Sequence, residues 1–234
     1  MSQAVRGSKP GPRRALSETE ILDAALRLLD EAGAAGLSVR SVAARVGVAP
    51  NALYTYFPTK AALVRALIDA LMGRVDRDAL LDGTRPWRAR ITDFALDARA
   101  LLLAHPGAVP LLLSSPFDGP NALALGERLL DAFADAGLGP ADAARASYLV
   151  MTYVLGTVAL DVAELEPAAA PLEEPARTQA RREALTQIPA EGFPRTAAGI
   201  EAIAAYNSTQ QYLWGLDRVL DGVMALRPKP ARRR

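Results

Sequence analysis

The chain has no cysteine among its 234 residues and a single histidine, His105. Lack of cysteine removes disulfides and thiolate metal sites and suits a reducing compartment, the cytoplasm. No glycine-rich phosphate loop or metal-spaced cluster is present, and Ser114-Ser115 has none of the glycines of a nucleophile elbow. No enzyme, metal or cofactor is therefore implied. Aromatic residues make up only 6% of the chain. Alanine and leucine dominate instead, which favours helices. No alternating β-branched run reads as a strand. The longest apolar run, Tyr148 to Leu160, is broken by Thr152, Gly156 and Thr157 and falls short of the roughly 20 residues of a membrane span. The first twenty residues lack the apolar core of a signal peptide.

What is present is uneven. Half the residues are hydrophobic, enough for a substantial core. The net charge of +1 conceals ten basic against six acidic side chains in residues 1–75, twelve against twenty in residues 76–226, and five against none in residues 227–234. A basic N-terminal part beside an acidic middle suits a nucleic-acid reader with a separate body.

The most informative stretch is LSVRSVAARVGVAPNALYTYFPTK, residues 37–60. Ser38 is a good N-cap, and Val39, Val42, Ala43 and Val46 form an apolar stripe at helical spacing. Gly47 suits a turn that needs positive φ, and Pro50 suits the first turn of a second helix. This is the pattern of a helix-turn-helix, whose second helix enters the major groove. A helical corner in any all-α domain fits the same pattern. On the second helix Asn51, Tyr54 and Thr55 share one face, while Leu53 and Phe57 point inward. Asn51 suits adenine, the Tyr54 hydroxyl suits a phosphate, and Arg40 and Lys60 can neutralise phosphates on either side.

The segment from about Leu16 to Leu71 resembles the DNA-binding domain of the TetR family of bacterial repressors. The residues that carry the resemblance are ILDAALRLLDEAGAAGLSVRSVAARVGVAPNALYTYFPTKAALVRAL. By that resemblance Arg40, Pro50, Asn51, Ala52, Tyr54, Tyr56 and Lys60 stand where the family touches DNA. Ala49 departs from the family's usual Ser or Thr and cannot cap the recognition helix through its side chain. The resemblance implies an all-α fold: a three-helix helix-turn-helix domain followed by a larger helical domain for ligand binding and dimerisation.

The chain divides accordingly into a basic arm (1–14), a helix-turn-helix domain (15–62), an effector-binding and dimerisation domain (63–226) and a basic tail (227–234). Ser17 and Glu20 form a capping-box signature for helix 1, which ends between Gly33 and Gly36. Helix 4 is expected from Pro58 to about Asp76, linking the two domains. A helix over about Trp87–Ala104 is stopped by His105-Pro106-Gly107, a short one covers 108–113, and Asn121 caps another reaching about Ala136. An apolar helix spans 141–165, with Tyr148, Met151, Thr152, Leu155, Val158, Ala159 and Val162 on one stripe. The proline-rich segment 166–195 reads as mobile surface, with one short helix at Thr178–Gln187. A last helix is expected over about Thr196–Leu226.

The resemblance pairs helices 141–165 and 196–226 with their copies in a homodimer and places an inducer pocket between helix 4 and those helices. Candidate ligand-binding residues are Phe94, Leu101, Leu102, Leu112, Phe117, Leu125, Phe133, Tyr148, Met151, Thr152 and Leu155. Plain core packing accounts for the same residues. Apolar walls with a few polar groups suit a small, largely apolar effector. The region Ala100–Leu165 further resembles the tetracycline-repressor branch, in which a histidine at the place of His105 helps hold a magnesium–drug chelate. Leu160 occupies the neighbourhood of the expected carboxylate and cannot ligate, so His105 reads as a helix stop or a hydrogen-bond donor to ligand. The expected function is a cytoplasmic, ligand-responsive transcriptional regulator. It binds palindromic duplex DNA as a dimer, without a membrane, and is released by a small molecule. A constitutive DNA-binding protein is the alternative, and an enclosed apolar cavity would separate the two.

Overall fold

A computed structural model of the chain describes residues 16–76, 78–164 and 173–225. The arm at 1–14, the tail at 227–234 and part of the 166–195 segment lie outside those residues. Among the described residues every regular element is helical. α1 (Glu18–Gly36) starts at Ser17, whose side chain and that of Glu20 close the expected capping box. The helix bends at Gly33, φ 63°. α2 (Val39–Arg45) starts at Ser38, which shares a second capping box with Ser41. α3 (Pro50–Tyr54) follows the turn at Gly47, whose φ of 73° is the left-handed conformation expected there.

α4 (Lys60–Met72) begins two residues after Pro58 and ends short of Asp76, because the Thr59 side chain accepts from the Ala62 amide at 3.0 Å and fixes the start. α5 (Asp78–Leu81) is a short helix that the sequence pattern did not reveal. α6 (Trp87–Ala104) stops at His105 as expected and is followed by a 3₁₀ turn over Pro106–Ala108 and by α7 (Val109–Ser114). α8 (Pro120–Asp135) is not capped by Asn121. Its N-cap is Gly119, and the capping acceptor comes from α4: the Asp69 carboxylate receives the backbone amides of Asn121 and Ala122, each at 3.0 Å. A Cβ on Gly119 would lie 2.2 Å from Asp69 Oδ1, so only glycine leaves room for that carboxylate.

α9 (Pro140–Ala163) is 24 residues long, more than its apolar run suggests and long and apolar enough to cross a bilayer by length and composition. It packs on α6, α7, α8 and α13. The expected stripe is split between two faces. Ala143, Ala146, Val150, Val154 and Val158 are buried, and all are small or β-branched. Tyr148 is 76% exposed and Leu160 63%. The segment after it holds α10 (Glu174–Thr186), longer than the expected helix. The expected last helix is three pieces: α11 (Pro194–Ala198), α12 (Ile200–Ala204) and α13 (Thr209–Met224). Breaks fall at Gly199 and before Ser208, whose side chain caps α13 by accepting the Gln211 amide at 3.1 Å.

One continuous apolar core runs from Ile21 in α1 to Val223 in α13. Polar bonds stitch α6, α9 and α13 together. Tyr153 donates its hydroxyl to the Tyr212 carbonyl at 2.7 Å, and Tyr212 donates to the Ala95 carbonyl at 2.7 Å. Arg99 is buried and reaches Asp161 at 2.9 Å, Thr209 Oγ1 at 3.1 Å and the ring face of Tyr212. Burial pushes the Asp161 carboxyl above its usual range, and Arg99 opposes that shift. Pairing is what makes two buried charges tolerable.

Candidate nucleic-acid interface and apolar cleft

The first candidate site is built by the corner of α2 and α3. Leu53 and Phe57 are buried in the core, as the spacing predicts, and α3 packs on α2, which forces the other face outward. Arg40, Pro50, Asn51, Ala52, Tyr54, Thr55, Tyr56 and Lys60 are all exposed. No carboxylate among the described residues pairs with Arg40 or Lys60, so both charges face solvent. Arg45 is different: its guanidinium meets Glu31 at 2.8 Å through Nη1, and that pair raises the Arg45 pKa and lowers that of Glu31. Two hydroxyls are already committed. Thr55 donates to the Ala52 carbonyl at 2.6 Å, and Tyr56 donates to the Leu16 carbonyl at 2.6 Å. Thr55 and Tyr56 also lie beyond the end of α3, so the recognition helix proper is the five residues PNALY. Ala49 makes no side-chain cap, as expected.

The second candidate site is an open-sided apolar cleft of about 600 Å³ between α8 and α9, rather than an enclosed cavity. Of the expected ligand residues, Phe117, Leu125, Tyr148, Met151, Thr152 and Leu155 line it. The others do not. Phe94, Leu102 and Leu112 are core, and Phe133 is buried against the Trp87 ring at a 6.1 Å centroid distance. Leu101 is half-buried against the core. His105 does not reach the cleft either: its Nδ1 lies 2.9 Å from Asp30 Oδ2 on α1. Four helices therefore contribute apolar wall, and the polar lining is sparse: Ser147, Thr152, the Tyr148 hydroxyl and the carboxylate of Glu127. Sequence spacing did not flag Met72, the last residue of α4, which also lines the cleft. One helix thus begins at the exposed Lys60 and ends in the cleft, a rod of about 20 Å.

Two close approaches join the parts. The 3₁₀ turn after α6 packs on α1, and a Cβ on Gly107 would lie 2.2 Å from the Leu29 carbonyl oxygen. Asp69 of α4 caps α8 as described, and Arg65 of α4 pairs with Asp118 just before α8.

Residues 81–227 match the family model for the tetracyclin repressor-like C-terminal domain, and residues 21–67 match that for bacterial regulatory proteins of the tetR family. The chain belongs to the TetR family. It is a TetR-family transcriptional regulator, and regulators of this family bind DNA and small-molecule effectors and form dimers. Its relatives are named for regulation, a non-enzymatic role. An HTH-type transcriptional regulator of Saccharopolyspora erythraea is 36% identical over 62% of this chain, and the match spans only 61% of that relative's length. The HTH-type transcriptional repressor DrrR1 of Streptomyces coeruleorubidus is 28% identical over 94% of this chain and 82% of its own. Among solved structures, a possible TetR family regulator from Streptomyces coelicolor A3(2) is 30% identical, with a TM-score of 0.73, over 90% of this chain and all of that one. This TetR-family chain keeps the family's two parts and places its own cleft between α8 and α9.

Proposed function

We propose that this regulator is a ligand-released repressor, working in the cytoplasm on palindromic duplex DNA as a homodimer. The observation that carries the reading is α4: Lys60 at one end stands beside the recognition helix, and Met72 at the other lines the cleft. Asn51 reads base edges, Arg40, Tyr54 and Lys60 hold phosphates, and Pro50, Ala52 and Thr55 make the close approach. Two copies related by a two-fold axis set their recognition helices one DNA turn apart, about 34–36 Å. The outer faces of α9 and α13 supply the contact between copies. Tyr148, Leu149, Leu160 and Trp214, which is 59% exposed, are large apolar side chains left bare on those helices. With α13 confined to Thr209–Met224, the paired helix is shorter than 196–226. A small, mainly apolar molecule fills the cleft, and Glu127, the one charged side chain in its lining, favours a ligand with a cationic or hydrogen-bond-donor group. Such a ligand binds one tilt of α4 better than another and so draws the two corners out of register with the groove, with a coupling of about 1–3 kcal/mol.

The test is a titration of a duplex selected from a randomised pool, with and without compounds first shown by calorimetry to bind the protein. The expected result is at least fivefold weaker DNA binding in the presence of a cleft ligand, with a dimer mass in sedimentation. A ligand that binds the cleft and leaves DNA affinity unchanged assigns the chain to constitutive DNA binding instead.

A further inference from the structure

The start of α8 has no local side chain to accept its first amides. Its N-cap is Gly119, and Pro120 fills the first helical position. The amides of Asn121 and Ala122 go instead to one oxygen of Asp69, each at 3.0 Å, and the Asn121 side-chain nitrogen donates to the other oxygen at 3.0 Å. Three bonds therefore converge on one side chain of α4. A carboxylate facing the positive end of a helix is a strong acceptor for such amides. The fit around it is close. A Cβ on Gly119 would lie 2.2 Å from Asp69 Oδ1, and one on Gly73 would lie 3.0 Å from the Asn121 side chain. A cavity of about 360 Å³, lined by Glu18 and Leu22 on one side and by Asp118, Gly119 and Asn121 on the other, separates α8 from α1 at this level. α4 packs on both.

Ala122, whose amide Asp69 holds, also lines the cleft, and Leu123, Leu125 and Gly126 continue that wall along α8. The rise from Lys60 to Asp69 is about 14 Å along α4. We propose that Asp69 is a positioning residue, a role that rests on the ligand-released reading above. Its carboxylate fixes the first turn of α8 to α4, so that widening or closing the cleft carries α4, and with it Lys60, as one piece. Met72 gives α4 a second contact, with the ligand itself. An unbranched thioether adapts by changing rotamer. The joint at Asp69 has no such slack, because a shift of α8 against α4 parts two backbone amides and a carboxylate from their partners. Coupling between sites is reciprocal, so duplex bound at α3 must alter the cleft through the same joint.

The experiment reads the cleft while duplex is bound. The chain has no cysteine, so L123C carries a single environment-sensitive fluorophore at an exposed residue of the cleft wall. A duplex selected by the full chain from a randomised pool is added to saturation. The label is placed in four backgrounds: the otherwise unchanged chain, D69A, D69N/N121D and M72A. The unchanged chain is expected to shift its emission when duplex binds. D69A should cut that shift at least threefold at saturating duplex. D69N/N121D should restore at least half of it. In that variant the amide oxygen at position 69 still takes both backbone amides, while its nitrogen donates to the carboxylate at position 121. If Asp69 serves stability alone, D69A lowers the melting temperature and leaves the shift of folded, saturated protein intact, which overturns the inference. A shift that M72A abolishes and D69A keeps assigns the route to Met72 and overturns it too, as does failure of D69N/N121D to restore the shift. A labelled chain that binds duplex without any shift leaves the DNA-binding reading standing and removes the joint, whereas a chain that binds no duplex sinks both. Thermal melting of each protein checks that the fold survives. D69N, with an expected cut of at least twofold, replaces D69A if it does not.

Discussion

The DNA-reading corner and the cleft domain are held together by bonds of different reach. In the corner most of the polar bonds are short in sequence: Ser38 to Ser41, Thr59 to Ala62 and Thr55 to Ala52 each span three residues, while Arg45 to Glu31 and Tyr56 to Leu16 tie the corner back to the start of the domain. In the cleft domain and at its junction many reach from 52 to 110 residues along the chain: His105 to Asp30, Asp69 to Asn121, Arg99 to Asp161 and Arg99 to Thr209. A corner pinned locally keeps its shape whatever its neighbours do. A body pinned at long range responds as a unit, because those bonds cannot shift without moving two distant helices. That division suits a regulator whose reading head stays constant while its body changes with the ligand.

The largest expected effect comes from breaking the long-range side of this contrast. Arg99→Ala leaves Asp161 buried without its partner and should cost about 3–5 kcal/mol in denaturant unfolding. If the loss is under about 1 kcal/mol, the body is not held as described. Gly107→Ala forces a methyl into the Leu29 carbonyl and should cost about 1–3 kcal/mol. At the same time it should weaken duplex binding, because α1 must move; unchanged binding would show that the junction does not position the corner. Ser38→Ala removes one local cap and should cost about 1 kcal/mol, measured by the same unfolding curves. Lys60→Ala should leave stability within about 0.5 kcal/mol, since the side chain is exposed. It should lower the salt slope of duplex binding by about 1, and a stability loss with an unchanged slope would remove Lys60 from the interface.

The same difference in reach explains what was legible before the structure. The capping box of Ser17 and Glu20, the N-cap at Ser38, the positive φ at Gly47, Pro50 at the start of α3 and the inward Leu53 and Phe57 depend on neighbours a few residues away, so spacing alone reveals them. Asp69 capping α8 does not: Asn121 has the right chemistry at nearly the right place, and nothing local discloses a carboxylate arriving from α4. The stripe on α9 failed for a related reason. An apolar helix that is buried on one face and lines a cleft on the other has no polar side to mark its orientation. Only the size of the residues separates Ala146, Val150 and Val154 from Tyr148 and Leu160. His105 was read as a possible ligand contact because its partner, Asp30, lies in another domain of the sequence. The long final helix was overextended because Gly199 and the buried Asn207-Ser208 pair interrupt it without a proline. Of the cleft, Phe117, Leu125 and four residues of α9 were foreseen, whereas Met72 and Glu127 were not, since membership in a cleft is a property of assembled helices.

The brevity of α4 has a mechanical consequence. A helix of under four turns has no length over which to curve, so it tilts as a stiff strut, and a push of about 1 Å on Met72 pivots the strut by about 3°. Molecular bulk on one side is thereby converted into an angle on the other, and two ligands of equal affinity but unequal thickness would set the reading heads at different separations.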